Sequence, residues 1–441
     1  MGLIRRDWQI ILVLIILAVG IRIFYLQRYG FEFDWDQEND AIAVMKMVWE
    51  HKPSLIGPRV ASENGFFTGP YHYYLLLPFF LLTGGHPASG IGLGLIIVAL
   101  TVSAYYYVGK KLWNPFTGIL AGFIYAFSGK LETWNAMYGP LLAVLGFYLI
   151  VMAMRGKIKW IWPTILAGIA ANIHLVPASI SLLLLIGILL SEKKPTRNEI
   201  FQMAFFYMIW FIPLIFFDLR HESIITKKVI ELIGGNSPFV WDRSNFFRVL
   251  GRAWVVFSAS SIHNWRSILD LILGLSCLFF GWIWIGGNKR FKLFTFLWLI
   301  TPLVILYKYK GNLPEYYFVI ATALLPLIFA SLISRIRLAP ILIMILILVN
   351  LPFKGIDVPI ILLKDKLALV DYLANQKEDK YFNVSYSMPL GFNYGYEYLF
   401  LWRKIPPDRT SRGHLYEVFK LPPLDDGRVV VTSGAIGLIR R

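Results

Sequence analysis

The chain has 441 residues, of which 57% are hydrophobic, 16% aromatic and only 16% charged. A soluble domain carries about 25% charged residues, so most of this chain needs a non-aqueous solvent. The net charge of +16 invites a nucleic-acid reading. That reading needs a basic stripe on one face, whereas here Lys and Arg sit in short clusters between apolar runs, which is a membrane-topology signal and excludes nucleic acid as a partner. The single cysteine, Cys277, allows no intramolecular disulfide and no cysteine metal cluster.

Arg5 and Arg6 precede a long apolar run with no small-residue cleavage site after it, which predicts a retained signal anchor. A membrane span needs about 20 mostly apolar residues. By that rule the spans fall at 8–27, 88–108, 116–133, 138–154, 160–177, 175–191, 200–217, 267–286, 291–307, 315–333 and 338–353, the fifth and sixth sharing a turn near Pro177. Eleven spans with a cytoplasmic N-terminus place 15 basic and three acidic residues inside, against 28 and 24 elsewhere. Each inside loop then obeys the positive-inside rule. The expected location is the plasma (inner) membrane, crossed many times, with the C-terminus external.

Tyr71–Leu82 (YHYYLLLPFFLL) is apolar but short and interrupted by Pro78. Counting it as a span would move most later basic loops outside, so it is read as a juxtamembrane or re-entrant helix. The first external loop then runs from about 28 to 87, long enough to be functional. A second, 218–266, is mixed polar and amphipathic. The chain therefore divides into a membrane domain, 1–353, and a small external α/β domain, 354–441. The latter predicts a helix at 360–375, a strand at 380–386, an aromatic helix at 393–402, and strands near 415–421 and 428–432.

Asp34, Asp36, Glu38 and Asp40 place four carboxylates in seven residues at the start of a helix just outside the first span. Capping by Asp34 with Gln37 explains one or two of them. The cluster as a whole suits a general base or a divalent cation (Mg or Mn) on Asp36 and Glu38. Gly69-Pro70 forms a turn that delivers an aromatic helix carrying Tyr71 and His72. His174 lies at membrane depth, where ionisable residues face a bundle interior or a wet cavity. Asn135 and Tyr138 open the second external loop, and Tyr316 and Tyr317 flank the fifth. Arg59, Arg220 and Lys308 offer positive charge near the headgroup plane, where a lipid phosphate would sit.

These motifs resemble the GT-C glycosyltransferases, in particular the branch of bacterial aminoarabinose transferases and protein O-mannosyltransferases. The resemblance rests on one span followed by Asp36-Gln37-Glu38, then Gly69-Pro70-Tyr71-His72-Tyr73-Tyr74, Leu166–His174 (LAGIAANIH) and Pro314-Glu315-Tyr316-Tyr317. It implies an all-α polytopic fold of GT-C type and transfer of a sugar, with inversion, from a polyprenyl-phosphate donor to a lipid, glycan or protein acceptor. Asp36 takes the role of acceptor base, with Glu38 or Asp34 assisting. Asn39 stands where the aminoarabinose transferases have an arginine, and Gly69 where they have a lysine, so the phosphate ligands here differ. Arg59, Arg220 and Lys308 are the substitutes. The rival readings are a transporter or lipid flippase, a non-catalytic membrane scaffold, and a polysaccharide polymerase or ligase. No inverted repeat of the transporter kind is visible.

Overall fold

The structure, a computed structural model, describes residues 2–60, 65–128, 131–234, 245, 248–253, 256, 287–307, 309, 313–335, 361–376, 381–389, 392–408, 413–422 and 428–441. The expected spans at 267–286 and 338–353 lie outside the described residues, so the count of eleven is not reached from these helices. Five described helical stretches are long and apolar enough to cross a bilayer: Asp7–Tyr29, Pro87–Leu112, Asn135–Met154, Arg197–Arg220 and Lys289–Tyr307. A sixth is a pair, Glu315–Thr322 and Leu325–Ile333, bent by 43°. Pro326 at the second helical position after the break withholds the N–H that would continue the ladder, which accounts for the bend.

The chain separates into two compact units. The first comprises Met1–Arg22, Leu55–His72 and Leu95–Leu351. Its helices are the start of α1 (Gly2–Tyr29), most of α4 (Gly90–Leu112), α5 (Pro115–Ser128), α6 (Gly139–Met154), α7 (Ile161–Ile173), α8 (Leu175–Leu190), α9 (Arg197–Met208), α10 (Ile212–Arg220), α11 (Ile224–Gly234), α12 (Lys289–Tyr307), α13 (Val319–Thr322) and α14 (Leu325–Ile333). The core packs Phe147 against Phe294 and Trp298, whose indole N–H donates to Ile320 O at 2.8 Å. Arg22 sits inside α1, almost fully buried. Its guanidinium donates to the carbonyls of Tyr125 and Ala126 in the last turn of α5, groups that have no partner within their own helix. A buried cation there also complements the negative end of the helix dipole.

The turn expected near Pro177 falls instead at His174. That residue adopts an extended conformation (φ −157°, ψ 145°), which stops α7 after Ile173. Its Nδ1 then accepts from Val176 N at 3.1 Å and caps α8. Pro177 lies in the first turn of α8, where a missing N–H costs nothing, so it does not itself make the break.

The second unit comprises Ile23–Ser54, Tyr73–Gly94 and Pro352–Arg441. It holds α2 (Trp35–Glu50), most of α3 (Tyr71–Leu82), α15 (Leu363–Ala374), α16 (Glu397–Arg403) and one four-stranded sheet. Helix α3 has the bounds expected from sequence. Its 12 residues rise about 18 Å, short of the roughly 30 Å hydrocarbon core. The strands are β1 (Phe382–Ser387), β2 (His414–Lys420), β3 (Arg428–Ser433) and β4 (Ile436–Arg440), in spatial order β1-β2-β4-β3. β1 and β2 are parallel, and α16 lies in the crossover that this arrangement requires. β3 and β4 form a hairpin across Gly434-Ala435, with Gly434 at φ +54°. Strand β4, absent from the expected elements, occupies a central position with Ile436, Leu438 and Ile439 buried.

Candidate active site

The acidic segment is built on the N-terminus of α2, in the second unit. Asp34 stands at the N-cap, its backbone N–H donating to Gln37 Oε1 at 3.2 Å, the capping arrangement expected from the sequence. Its side chain also accepts from Lys366 Nζ at 2.8 Å. Lys366 has no exposed surface, and its ammonium donates further to Phe33 O at 2.6 Å and Tyr394 O at 2.8 Å.

Glu38 is likewise buried, 7% exposed. Its Oε2 accepts from Gly395 N at 2.8 Å and its Oε1 from Tyr398 N at 3.1 Å. The carboxylate thereby serves amides at the start of α16, which lack intrahelical partners. Burial lifts the Glu38 carboxyl above its ordinary range, and these two N–H groups and the Lys366 charge offset only part of that. The two acids expected to assist catalysis are thus both engaged by the C-terminal segment.

Asp36 and Asp40 remain. They are four residues apart and share a helix face, whereas Asp36 and Glu38, two apart, do not. Asp36 is exposed and Asp40 buried, and the fields of both carboxylates reach the phenol of Tyr73 on α3. Asp40 belonged to the acidic cluster in the sequence but not to the expected site. Its position one turn beyond Asp36 was the signal that pairs them.

This geometry bears on the expected cation. Asp36 and Glu38 point to different sides of α2, and both oxygens of Glu38 already accept from amides. Among the described residues no group of three His, Cys, Asp or Glu could hold a metal ion. The residues present do not fit a metal at Asp36 and Glu38.

The first unit brings together another set of expected residues. His72, fully buried, has Nδ1 3.1 Å from Tyr138 Oη, with the two rings edge to face at 5.6 Å. Asn135 Nδ2 donates to Ile173 O at 3.0 Å, tying the turn Asn135–Tyr138 to the end of α7. Trp134, His174 and Tyr316 form a ring triangle with centroid separations of 4.8–5.9 Å, and Tyr317 stacks edge-on against Tyr316 at 4.9 Å. Tyr71 Oη donates to Trp210 O at 2.8 Å.

The Gly69-Pro70 turn is fixed to α7 by Gly69 N donating to Asn172 O at 2.8 Å. A Cβ on Gly69 would lie 2.6 Å from Asn172 Oδ1, so only glycine fits this approach. Asn172 is fully buried, and among the described residues its Oδ1 has no hydrogen-bond partner. Asn172 stands in the Leu166–His174 segment but outside the expected site.

Two of the three expected phosphate ligands lie among the described residues. Arg59 is exposed and lies over the Phe67 ring at 4.8 Å, on a shallow groove with Ile224, Ile225 and Lys228. Arg220 is exposed at the end of α10. Lys308 lies outside the described residues.

No protein-family model and no curated protein matches the chain by sequence. Solved structures do match by fold. The crystal structure of ArnT from Cupriavidus metallidurans bound to undecaprenyl phosphate superposes with a TM-score of 0.62 at 10% identity, covering 100% of this chain and 98% of that one. The apo form of the same protein gives 0.60 at 12% identity with the same coverage. The Archaeoglobus fulgidus oligosaccharyltransferase in complex with Zn and sulfate gives 0.57 at 10% identity, over 90% of this chain and 62% of that one. These likenesses, all at 12% identity or less, show that the chain shares the fold of ArnT and of this oligosaccharyltransferase.

Proposed function

We propose that the chain is a membrane glycosyltransferase that moves a sugar from a polyprenyl-phosphate donor to a lipid, glycan or protein acceptor, with inversion at the anomeric carbon. The observation that carries this reading is the exposed Asp36, presented at the first turn of α2 directly after the long apolar helix α1, in a fold matched over its whole length by ArnT. The ArnT structure holds undecaprenyl phosphate, which supports the donor class.

In this reading Asp36 accepts the proton of the acceptor nucleophile as that atom attacks the anomeric carbon. The anomeric C–O bond breaks, and the electron pair leaves with the lipid phosphate. Such a base contributes typically 10²–10⁴-fold. Fixed positive charge stabilises the departing phosphate. Arg59, Arg220 and Lys308 are the cations proposed for that task. Buried His72, Asn135, Tyr138 and His174 and half-buried Tyr71, Tyr316 and Tyr317 provide polar and aromatic groups suited to sugar recognition. The charge asymmetry of the loops supports an external position, at the plasma (inner) membrane, for the acidic helix and the C-terminal domain.

Membranes containing the protein are to be incubated with a pool of radiolabelled polyprenyl-phosphate sugars and compared with membranes lacking it. Label moving into lipid, glycan or protein is the expected result. Absence of transfer with every donor contradicts the reading and favours a transporter or scaffold.

A further inference from the structure

The proposed chemistry uses Asp36 and leaves Lys366, Asp34 and Glu38 without a chemical role. Lys366 has no exposed surface, yet all three of its N–H donors are spent, on Phe33 O, Asp34 Oδ1 and Tyr394 O. One turn further along α2, Glu38 accepts from Gly395 and Tyr398. Both sets of bonds join the start of α2 to the residues around the start of α16. Between the two anchors stands Asp36. Residues 34 and 38 share a helix face, and residue 36 lies on the opposite side. The C-terminal segment thus grips α2 through Asp34 and Glu38, and Asp36, on the other side of its first turn, is exposed.

Stability alone is a poor reason for such bonds. Desolvating an ammonium and a carboxylate is expensive, and replacing buried ion pairs by apolar residues is often neutral or stabilising. Apolar packing would hold α2 equally well but without direction. Charge-assisted hydrogen bonds to fixed backbone groups set rotation as well as contact. The surrounding packing is apolar where no direction is needed: Phe33 and Phe80 lie against Tyr398 with ring centroids 6.0 and 6.3 Å apart.

We propose that Lys366 is a positioning residue and that, with the segment Tyr394–Tyr398, it acts as a clamp setting the rotation of α2, so that Asp36 meets the acceptor in a reactive orientation. This rests on the reading of Asp36 as the base in sugar transfer.

The test uses the full-length protein in membranes, with Lys366→Met and, as a milder change, Asp34→Asn. Two quantities are read: hydrogen exchange of the Trp35–Glu50 amides, and kcat and KM per folded enzyme with the polyprenyl-phosphate sugar that the wild type uses. For Lys366→Met the expected result is faster exchange at the start of α2, a fall in kcat of about 10²-fold from misorientation, and a donor KM within about threefold of wild type. For Asp34→Asn the expected fall in kcat is about fivefold, as for a half-exposed ion pair. A kcat per folded enzyme unchanged in both variants, or a loss carried by KM, overturns the proposal. If the Met variant does not fold, the Asn variant decides by the same criteria. Wild-type inactivity with every donor overturns the transferase reading instead. In that case unchanged α2 exchange in Lys366→Met separately overturns the clamp.

Discussion

Gly395→Ala perturbs the α2 clamp without altering any charged group or any residue of α2. Gly395 has φ +88°, a region that costs a residue with a Cβ about 1–2 kcal/mol. The new Cβ would fall on Phe33 O and within 2.6 Å of Lys366 Nζ, both fixed by the surrounding bonds. Relief requires the 394–398 segment to withdraw, which weakens the 2.8 Å bond from Gly395 N to Glu38. A hydrogen bond to a charged group contributes about 1.5–3 kcal/mol. Together the terms come to about 4 kcal/mol of local stability, equivalent to about 10³-fold faster amide exchange. Hydrogen exchange with mass spectrometry on the detergent-solubilised protein should show this acceleration in peptides covering Tyr394–Arg403 and Trp35–Glu50. Peptides from the α7–α8 hairpin should be unaffected. Exchange within about threefold of wild type in the first two would refute the clamp geometry.

Glu38 makes the same contact pH-dependent. Its folded carboxyl is raised above the ordinary 4.5, so burial of the ionised form carries a penalty that is fully present above the raised value. The penalty is relieved as pH falls through that value towards 4.5. Corrected for intrinsic rates, protection of the Gly395–Tyr398 amides should therefore increase as pH falls from neutral towards 4.5. Glu38→Gln, which cannot titrate, should give a flat profile. His72→Phe removes the 3.1 Å contact with Tyr138 from a fully buried position and should lower first-unit stability by about 1 kcal/mol in chemical denaturation. Asp218 accepts from Ile225 N at 2.7 Å and from the Thr226 hydroxyl at 2.5 Å, capping α11. Asp218→Ala should cost about 1 kcal/mol and raise exchange in the first turn of that helix alone.

Much of the local structure was legible because it follows from local rules. The α1 run, the 12-residue α3 and the 363–374 helix are specified by length, apolar content and breakers. Asp34 and Gln37 announced their cap three residues apart. β4 escaped because Ile436-Gly437-Leu438-Ile439 is short, contains a glycine and is buried without alternation, as a central strand is. The turn expected near Pro177 falls three residues earlier, at His174. In a first helical turn, however, proline is tolerated, and a histidine that can cap does the work.

The site was legible in its membership more than in its roles. Helical spacing alone separates Asp36 and Asp40 from Asp34 and Glu38. What separates their tasks is Lys366 and Gly395, more than 330 residues away in the chain. No periodicity reports a pairing at that distance. The same holds for Arg22, whose partners lie over 100 residues on in α5.

The most direct measurement of the central claim is sugar transfer by purified protein in proteoliposomes, comparing wild type with Asp36→Asn. The substitution keeps the volume and one acceptor oxygen but removes the base. The account predicts a loss of kcat of about 10²–10⁴-fold with donor binding and α2 exchange unchanged. Equal transfer by both proteins would contradict it.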